Sequence, residues 1–204
     1  MDRRTSIKWM MAAASAAAVP SWEAAAQSAV SYGTDPDLVK RYRSGDLWPL
    51  TLSTEQKVTA AALCALIIPA DTHSPSAAQL NVPLFIDEWI SAPYPHHQKD
   101  RALIVEGLAW IETDAMERFR KPFAQLTEAQ QRSLCDPVCL PGKVAKASPE
   151  IMKAAQFFSR YRDLTVDGFY TTPEGMKDLG FTGNKPSAKF EGPPLAALKK
   201  AGLA

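Results

Sequence analysis

The stretch Lys99-Asp100-Arg101-Ala102-Leu103-Ile104-Val105-Glu106-Gly107-Leu108-Ala109-Trp110-Ile111-Glu112-Thr113-Asp114-Ala115-Met116-Glu117-Arg118-Phe119-Arg120 decides the fold class. Ile104, Leu108, Ile111, Ala115 and Phe119 follow one another at steps of four, three, four and four. Side chains at that spacing share one side of a helix, here of about six turns, and the charged residues between them take the other side. A helix of this kind needs other apolar faces to pack against, and the neighbouring sequence supplies them.

Upstream, Ser53-Thr54-Glu55-Gln56 has the form of a capping box, with Ser53 as N-cap and Gln56 three positions in. Val58, Ala61, Ala62, Ala65 and Leu66 then recur at helical spacing, with Leu63 and Ile67 widening the face until Pro69. The loop Ala70 to Ser76 is polar and turn-rich. Pro83 suits the first position of a further helix, in which Phe85, Ile86, Trp89 and Ile90 share a face. Pro93 and Pro95 are expected to end it, leaving His96-His97 in a polar loop.

Downstream, Thr127-Glu128-Ala129-Gln130 is a second capping box and opens a short helix toward Cys135. Ser148-Pro149-Glu150 supplies an N-cap, a proline at the first helical position and an acidic residue at the positive end of the dipole. Ile151, Ala154, Ala155, Phe158 and Tyr161 form the stripe that follows. Thr172-Pro173-Glu174 repeats the start signal, and Gly180 suits a left-handed close. Pro193-Pro194 introduces a last helix through Lys200, stopped by Gly202. Period-two alternation is not sustained anywhere, and no internal repeat is evident. The expectation is an all-α fold: one compact helical domain over residues 51–204, with long Pro-rich loops.

Two segments precede that domain. Met1-Asp2-Arg3-Arg4-Thr5-Ser6-Ile7-Lys8 leads into an apolar run from Trp9 to Val19, too short for a membrane span of about 20 residues. Arg3 and Arg4 have the look of a twin-arginine export signal, which addresses a receptor rather than anchoring the chain. Ala24-Ala25-Ala26 provides the small residues for cleavage after Ala26, with Ala24 and Ala26 in the recognised positions. Ser6 stands where such signals usually prefer an apolar residue, so an ordinary secretory signal stays open, with a retained anchor as the lesser alternative. Residues 1–26 are therefore read as a cleavable signal and residues 27–50 as an extended leader interrupted by Gly33, Pro36, Gly45 and Pro49. Periplasmic localisation by the twin-arginine route is the expectation.

Without residues 1–26 the chain carries twenty basic and twenty acidic residues, a net charge of zero with histidine neutral. Nucleic acid and anionic lipid call for a basic surface, which this composition does not offer. Neutral proteins also tend to associate, which weakly favours a partner. No other apolar stretch is long enough to span a bilayer.

Cys64 falls in an apolar helical stretch and reads as a small buried hydrophobe. Cys135 and Cys139 flank Asp136-Pro137-Val138. A disulfide between them and a pair of free thiols are both open: continuous helix gives unsuitable geometry, while Pro137 ends the helix nearby and an oxidising compartment permits the bond. Cys-x-x-Cys-His is absent, and so are the glycine-rich nucleotide motifs, the His-Glu-x-x-His motif and the Gly-x-Ser-x-Gly motif.

Asp71-Thr72-His73 sets a carboxylate beside an imidazole, an arrangement that a metal or a general base uses. The plainer reading is an Asx-type turn with a loop histidine. Asp163, Asp167, Glu174 and Asp178 cluster in sequence and read as capping or solvated charges. Phe157, Phe158, Tyr161, Phe169, Tyr170, Phe181 and Phe190 crowd the C-terminal part of the chain. The later ones sit among glycines, so Tyr170, Phe181 and Phe190 either fold back as core or anchor a partner, where aromatics dominate binding energy.

Asp163-Leu164-Thr165-Val166-Asp167-Gly168-Phe169-Tyr170-Thr171-Thr172-Pro173-Glu174-Gly175, Asp178-Leu179-Gly180-Phe181, Gly183-Asn184 and Phe190-Glu191-Gly192-Pro193-Pro194 resemble the gluconate 2-dehydrogenase subunit 3 family. So do Ile67-Ile68-Pro69-Ala70-Asp71-Thr72-His73-Ser74-Pro75-Ser76-Ala77 and Val82-Pro83-Leu84-Phe85-Ile86-Asp87. The likeness covers roughly residues 52–203. It implies a non-catalytic small subunit that escorts a folded flavoprotein through export and stabilises it. The partner implied is a large catalytic subunit of the glucose-methanol-choline oxidoreductase type that holds FAD, with a cytochrome c subunit as a further partner. This chain would then carry no cofactor, metal or catalytic residue of its own. Asp71, His73, Tyr170, Asp178, Phe181, Asn184 and Phe190 are the candidates for the partner interface. Two other readings stand beside it: a sugar-binding module lined by the C-terminal aromatics, and a metal-assisted enzyme using Asp71 and His73.

Overall fold

The computed structural model describes residues 40, 42–139, 148–181, 183 and 192–203. Among these the chain is helical throughout, with no strand. The elements are α1 (Thr54–Ile67), α2 (Val82–Ser91), α3 (Pro95–Phe119), a 3-10 turn (Phe123–Gln125), α4 (Glu128–Cys135), α5 (Pro149–Tyr170), α6 (Pro173–Asp178) and α7 (Leu195–Lys200). No described helix is long and apolar enough to cross a membrane. Arg3, Arg4, Ala24, Ala26, Asn184 and Phe190 lie outside the described residues.

Both capping boxes form. Ser53 accepts from the Gln56 amide while the Gln56 side chain accepts from the Ser53 amide, and Thr127 and Gln130 do the same at α4. Ser148 and Thr172 cap α5 and α6, with proline at the first position of each. Each cap satisfies amides that a helix leaves without partners, which is why these starts are legible from sequence.

The core lies where α1, α2, α3 and α5 meet. Ile104, Leu108, Ile111 and Ala115 are fully buried, as the spacing in α3 predicts, while Phe119 is half-buried. Tyr161 of α5 is also fully buried, and its hydroxyl donates to the Ala60 carbonyl at 2.8 Å. That donation leaves the Cys64 thiol to donate to the Tyr161 oxygen at 3.3 Å. Cys64 is the small buried hydrophobe expected, and burial pushes its thiol up to about 11.

Three expectations need correction. The buried face of α1 is Thr59, Ala60, Leu63 and Cys64, and Val58 is 54% exposed. An alanine-rich helix is weakly apolar on every side, so periodicity does not choose its face; the partner helices do. Next, Pro95 begins α3 rather than ending the preceding segment, and His96 and His97 belong to its first turn. Lastly, α5 runs through Gly168 and Phe169 to Tyr170, so those residues are helical rather than loop, and Phe169 is fully buried.

The leader is less loose than its glycines and prolines suggest. Residues 42–52 are strapped along α2: the Thr51 and Leu52 amides both donate to Oδ1 of Asp87 at 3.0 Å. Trp48 Nε1 donates to the Glu88 carbonyl at 3.2 Å, and the Gly45 amide to the Glu88 carboxylate at 3.1 Å. Asp87 is completely buried.

A polar latch joins α2, α3 and α5. Trp89 Nε1 and the Arg160 guanidinium both donate to the Asp100 carboxylate, and Arg160 also lies 5.7 Å over the Trp89 ring. Nδ1 of His97 meets the Trp89 carbonyl at 2.7 Å; a carbonyl only accepts, so Nδ1 carries the proton. Burial pushes the Asp100 carboxyl up, but the hydrogen bonds from Arg160 and Trp89, with the Arg160 and His97 charges, outweigh it and hold it below its ordinary value. Burial lowers His97, reinforced by His96 and Arg160 against the opposing pull of the Trp89 carbonyl and Asp100. Both groups are depressed on folding, so the stability they supply is present above their unfolded values and is lost as pH falls through the folded ones. Melting temperature is therefore expected to begin falling as pH drops below about 6.5, with a further fall below about 4 as Asp100 takes up its proton. Melting curves of the wild type and His97→Gln from pH 8 down to about 2.5 check this: the first fall shrinks in the variant, and an unchanged first fall would assign it to another group.

Candidate functional site

The loop after α1 and the C-terminal end of α6 are about a hundred residues apart in sequence, and the fold brings them together. His73, Lys177 and Asp178 line one open depression of about 360 Å³. Each side of it is set by local hydrogen bonding. Oδ1 of Asp71 accepts from the His73 and Ser74 amides at 2.7 and 2.8 Å, and the Asp71 amide donates to the Ser74 carbonyl. This is the Asx-type turn, and those backbone bonds hold the Asp71 carboxyl below its ordinary value. The Ala77 amide returns the loop to the Ile68 carbonyl at 3.0 Å.

On the other side, Thr172 Oγ1 accepts from the Gly175 amide and donates to the Phe169 carbonyl. A Cβ on Gly175 would fall on that same carbonyl oxygen, so only glycine lets α6 fold back across the end of α5. α6 then closes with Gly180 at φ 72°, its amide bonding to the Lys177 carbonyl and the Phe181 amide to the Met176 carbonyl. This double return is a Schellman close, in which the residue after the glycine lies against the last turn of the helix. It fixes Phe181 beside Met176 and leaves both outside the core. Phe181 is 51% exposed, Leu179 66% and Met176 38%.

Of the sequence candidates, His73, Asp178 and Phe181 thus sit at this end of the molecule, and Asp71 shapes the loop beneath His73. Tyr170 differs: it is half-buried at the margin of the core, edge-on to Phe169 with ring centroids 5.0 Å apart. Cys135 and Cys139 are both thiols, Cys135 buried and Cys139 half-buried. Asp163 and Asp167 are exposed on α5. Among the described residues no three of His, Cys, Asp and Glu gather as metal ligands. The depression has mixed charge and open walls, and exposed apolar side chains near its helix end. That combination suits contact with another surface: apolar side chains to anchor it, a polar rim to orient it.

Sequence reading missed Met176 and Leu179 as exposed apolar residues. It also missed the Trp89–Asp100–Arg160 latch, whose members are far apart in the chain. The signal available for the first pair was an Asp-Leu-Gly-Phe helix close, in which the apolar residues have no helical stripe to join.

The architecture of the described residues is that of a small all-α domain in which polar side chains form helix caps, turns and the Trp89–Asp100–Arg160 latch. The chain belongs to the gluconate 2-dehydrogenase subunit 3 family, whose model matches residues 54–191, and so to a family of dehydrogenase subunits. No curated protein and no solved structure matches it.

Proposed function

We propose that the chain is the non-catalytic small subunit of a periplasmic sugar, polyol or glycoside dehydrogenase. Its partner is an FAD-containing catalytic subunit of the glucose-methanol-choline type, which performs the oxidation and passes electrons on to a cytochrome c subunit or another acceptor. This chain carries the twin-arginine address for the pair, escorts the folded flavoprotein across the membrane and stabilises it there. The observation that carries this reading is the family match over residues 54–191. The paired arginines support the export half of it, since a receptor that passes folded cargo suits a cofactor loaded before export. The exposed Met176, Leu179 and Phe181 support the docking half.

Coexpression with a flavoprotein partner in a twin-arginine-competent host tests both halves. Arg3→Lys/Arg4→Lys is expected to abolish flavin-dependent dye reduction with sugars in the periplasm while the two chains still copurify from the cytoplasm. Leu179→Asp/Phe181→Asp is expected to weaken copurification by roughly tenfold or more, because two apolar anchors are lost together. Its melting temperature should stay near that of the wild type, as both side chains are exposed. A flavoprotein that neither binds this chain nor depends on it for export would refute the proposal.

A further inference from the structure

Cys135 ends α4 with 4% of its surface exposed, and the chain then turns on itself: the Val138 amide donates back to the Cys135 carbonyl at 3.0 Å. Val138 is 1% exposed and pins the turn to the core. Cys139 follows at once, and its Sγ points back over the turn, donating to the Asp136 carbonyl at 3.2 Å. One thiol is therefore packed inside and the other is half-exposed at the same turn, each without a covalent partner. Pro137 supplies no amide there, so the helical ladder cannot continue through this point.

We propose that Cys135 and Cys139 are a redox-active dithiol, with Cys139 as the entry thiol and Cys135 as the resolving one. The Cys139 thiolate attacks a sulfur of an external disulfide, forming a mixed disulfide and releasing one thiolate of the oxidant. Cys135 then gives up its proton and attacks Cys139 Sγ, expelling the oxidant's second thiolate. Two electrons and two protons leave the pair, and the external disulfide becomes two thiols. The entry bond costs Cys139 only its weak hydrogen bond to Asp136. The closing bond is slow, because burial, with the nearby Asp136 charge adding, holds the Cys135 thiol above its ordinary value. The loop closed is so short that the bond adds little by restricting the unfolded chain. Its role is accordingly that of a responsive bond rather than a permanent staple. In the cell, oxidation after export rests on the function proposed above; the chemistry of the pair does not.

The test uses the full chain, reduced and then exposed to excess oxidised glutathione. The wild type is expected to lose the mass of two hydrogens and to keep Cys64 as its single free thiol, with peptide mapping placing the bond between residues 135 and 139. Cys135→Ser should stop at a stable glutathione adduct on Cys139, since nothing resolves it. Cys139→Ser should react at least tenfold more slowly, because the remaining thiol of the pair is buried. A stable glutathione adduct on wild-type Cys139, or wild type and Cys139→Ser reacting alike at Cys135, would overturn the proposal. A second arm compares thiol states in cells for wild type and the retained Arg3→Lys/Arg4→Lys variant. A bond in the exported chain alone ties the pair to export. The same thiol state in both, with oxidation by glutathione intact, overturns the export timing and leaves the dithiol standing.

Discussion

Gly107→Ala is expected to lower the melting temperature by roughly 4–8 °C, although alanine is the better helix former. Gly107 lies in the middle of α3, where replacing glycine by alanine ordinarily adds about 1 kcal/mol. Here the Cβ would overlap the Cγ and Cδ2 atoms of the Phe157 ring, which is 1% exposed on α5. The ring can relieve the overlap only by sliding toward the depression of about 270 Å³ bounded by Leu103, Trp110 and Ala154, which separates α3 from α5 and exposes the ring. Overpacking of this kind costs about 3 kcal/mol, so the clash outweighs the propensity gain by about 2 kcal/mol. The decisive measurement is a double-mutant cycle. Phe157→Leu alone leaves a void and destabilises, but Gly107→Ala/Phe157→Leu is expected to be much less destabilised than the sum of the two, because the smaller side chain makes room for the new methyl. Additive losses would mean that the two residues do not share the contact described.

Asp87→Ala is expected to cost about 3 kcal/mol, through a different mechanism. The buried carboxylate is the acceptor for the Thr51 and Leu52 amides and lies 3.4 Å from the half-exposed Lys57 amine. Thr51 keeps a second acceptor in Ser91 Oγ at 2.9 Å, but the Leu52 amide is left buried without one. An orphaned buried donor costs about 1–3 kcal/mol, and the cavity left by the side chain adds to it. Asp87→Asn keeps an acceptor oxygen and should lose less than half as much. Hydrogen exchange should show protection falling first in residues 42–52, since these are strapped to α2 through Asp87 and Glu88. Exchange that rises uniformly across the chain in Asp87→Ala would mean that the carboxylate supports the whole core rather than the strap.

The helices were legible because their starts are local chemistry. A serine or threonine cap with glutamine at the third position, or with proline at the first, satisfies free amides using residues only a few positions apart. Ser53, Thr127, Ser148 and Thr172 all cap where the sequence places them. The buried stripe of α3 was legible because its large aliphatic residues alternate with charges. α1 was not, since a run of alanines gives no side a clear advantage.

The candidate site was legible in part. The family likeness and the pattern Asp-Leu-Gly-Phe marked Asp178 and Phe181, and the polar loop marked Asp71 and His73. That His73 and Asp178 line one depression could not be read from either segment alone.

By itself, then, the sequence determined where the helices capped by Ser53, Thr127, Ser148 and Thr172 begin, that the domain is all-α and which family it belongs to, because these rest on residues close together in the chain. Tertiary structure decided which face of α1 is buried, why a side chain at Gly107 or Gly168 meets another helix, and that Asp87 and Glu88 hold residues 42–52. At Gly168 a Cβ would come within 2.7 Å of Phe85 and 2.8 Å of Val82, residues more than eighty positions earlier. Such limits are set by the separation between packed helices, a distance that no local pattern encodes.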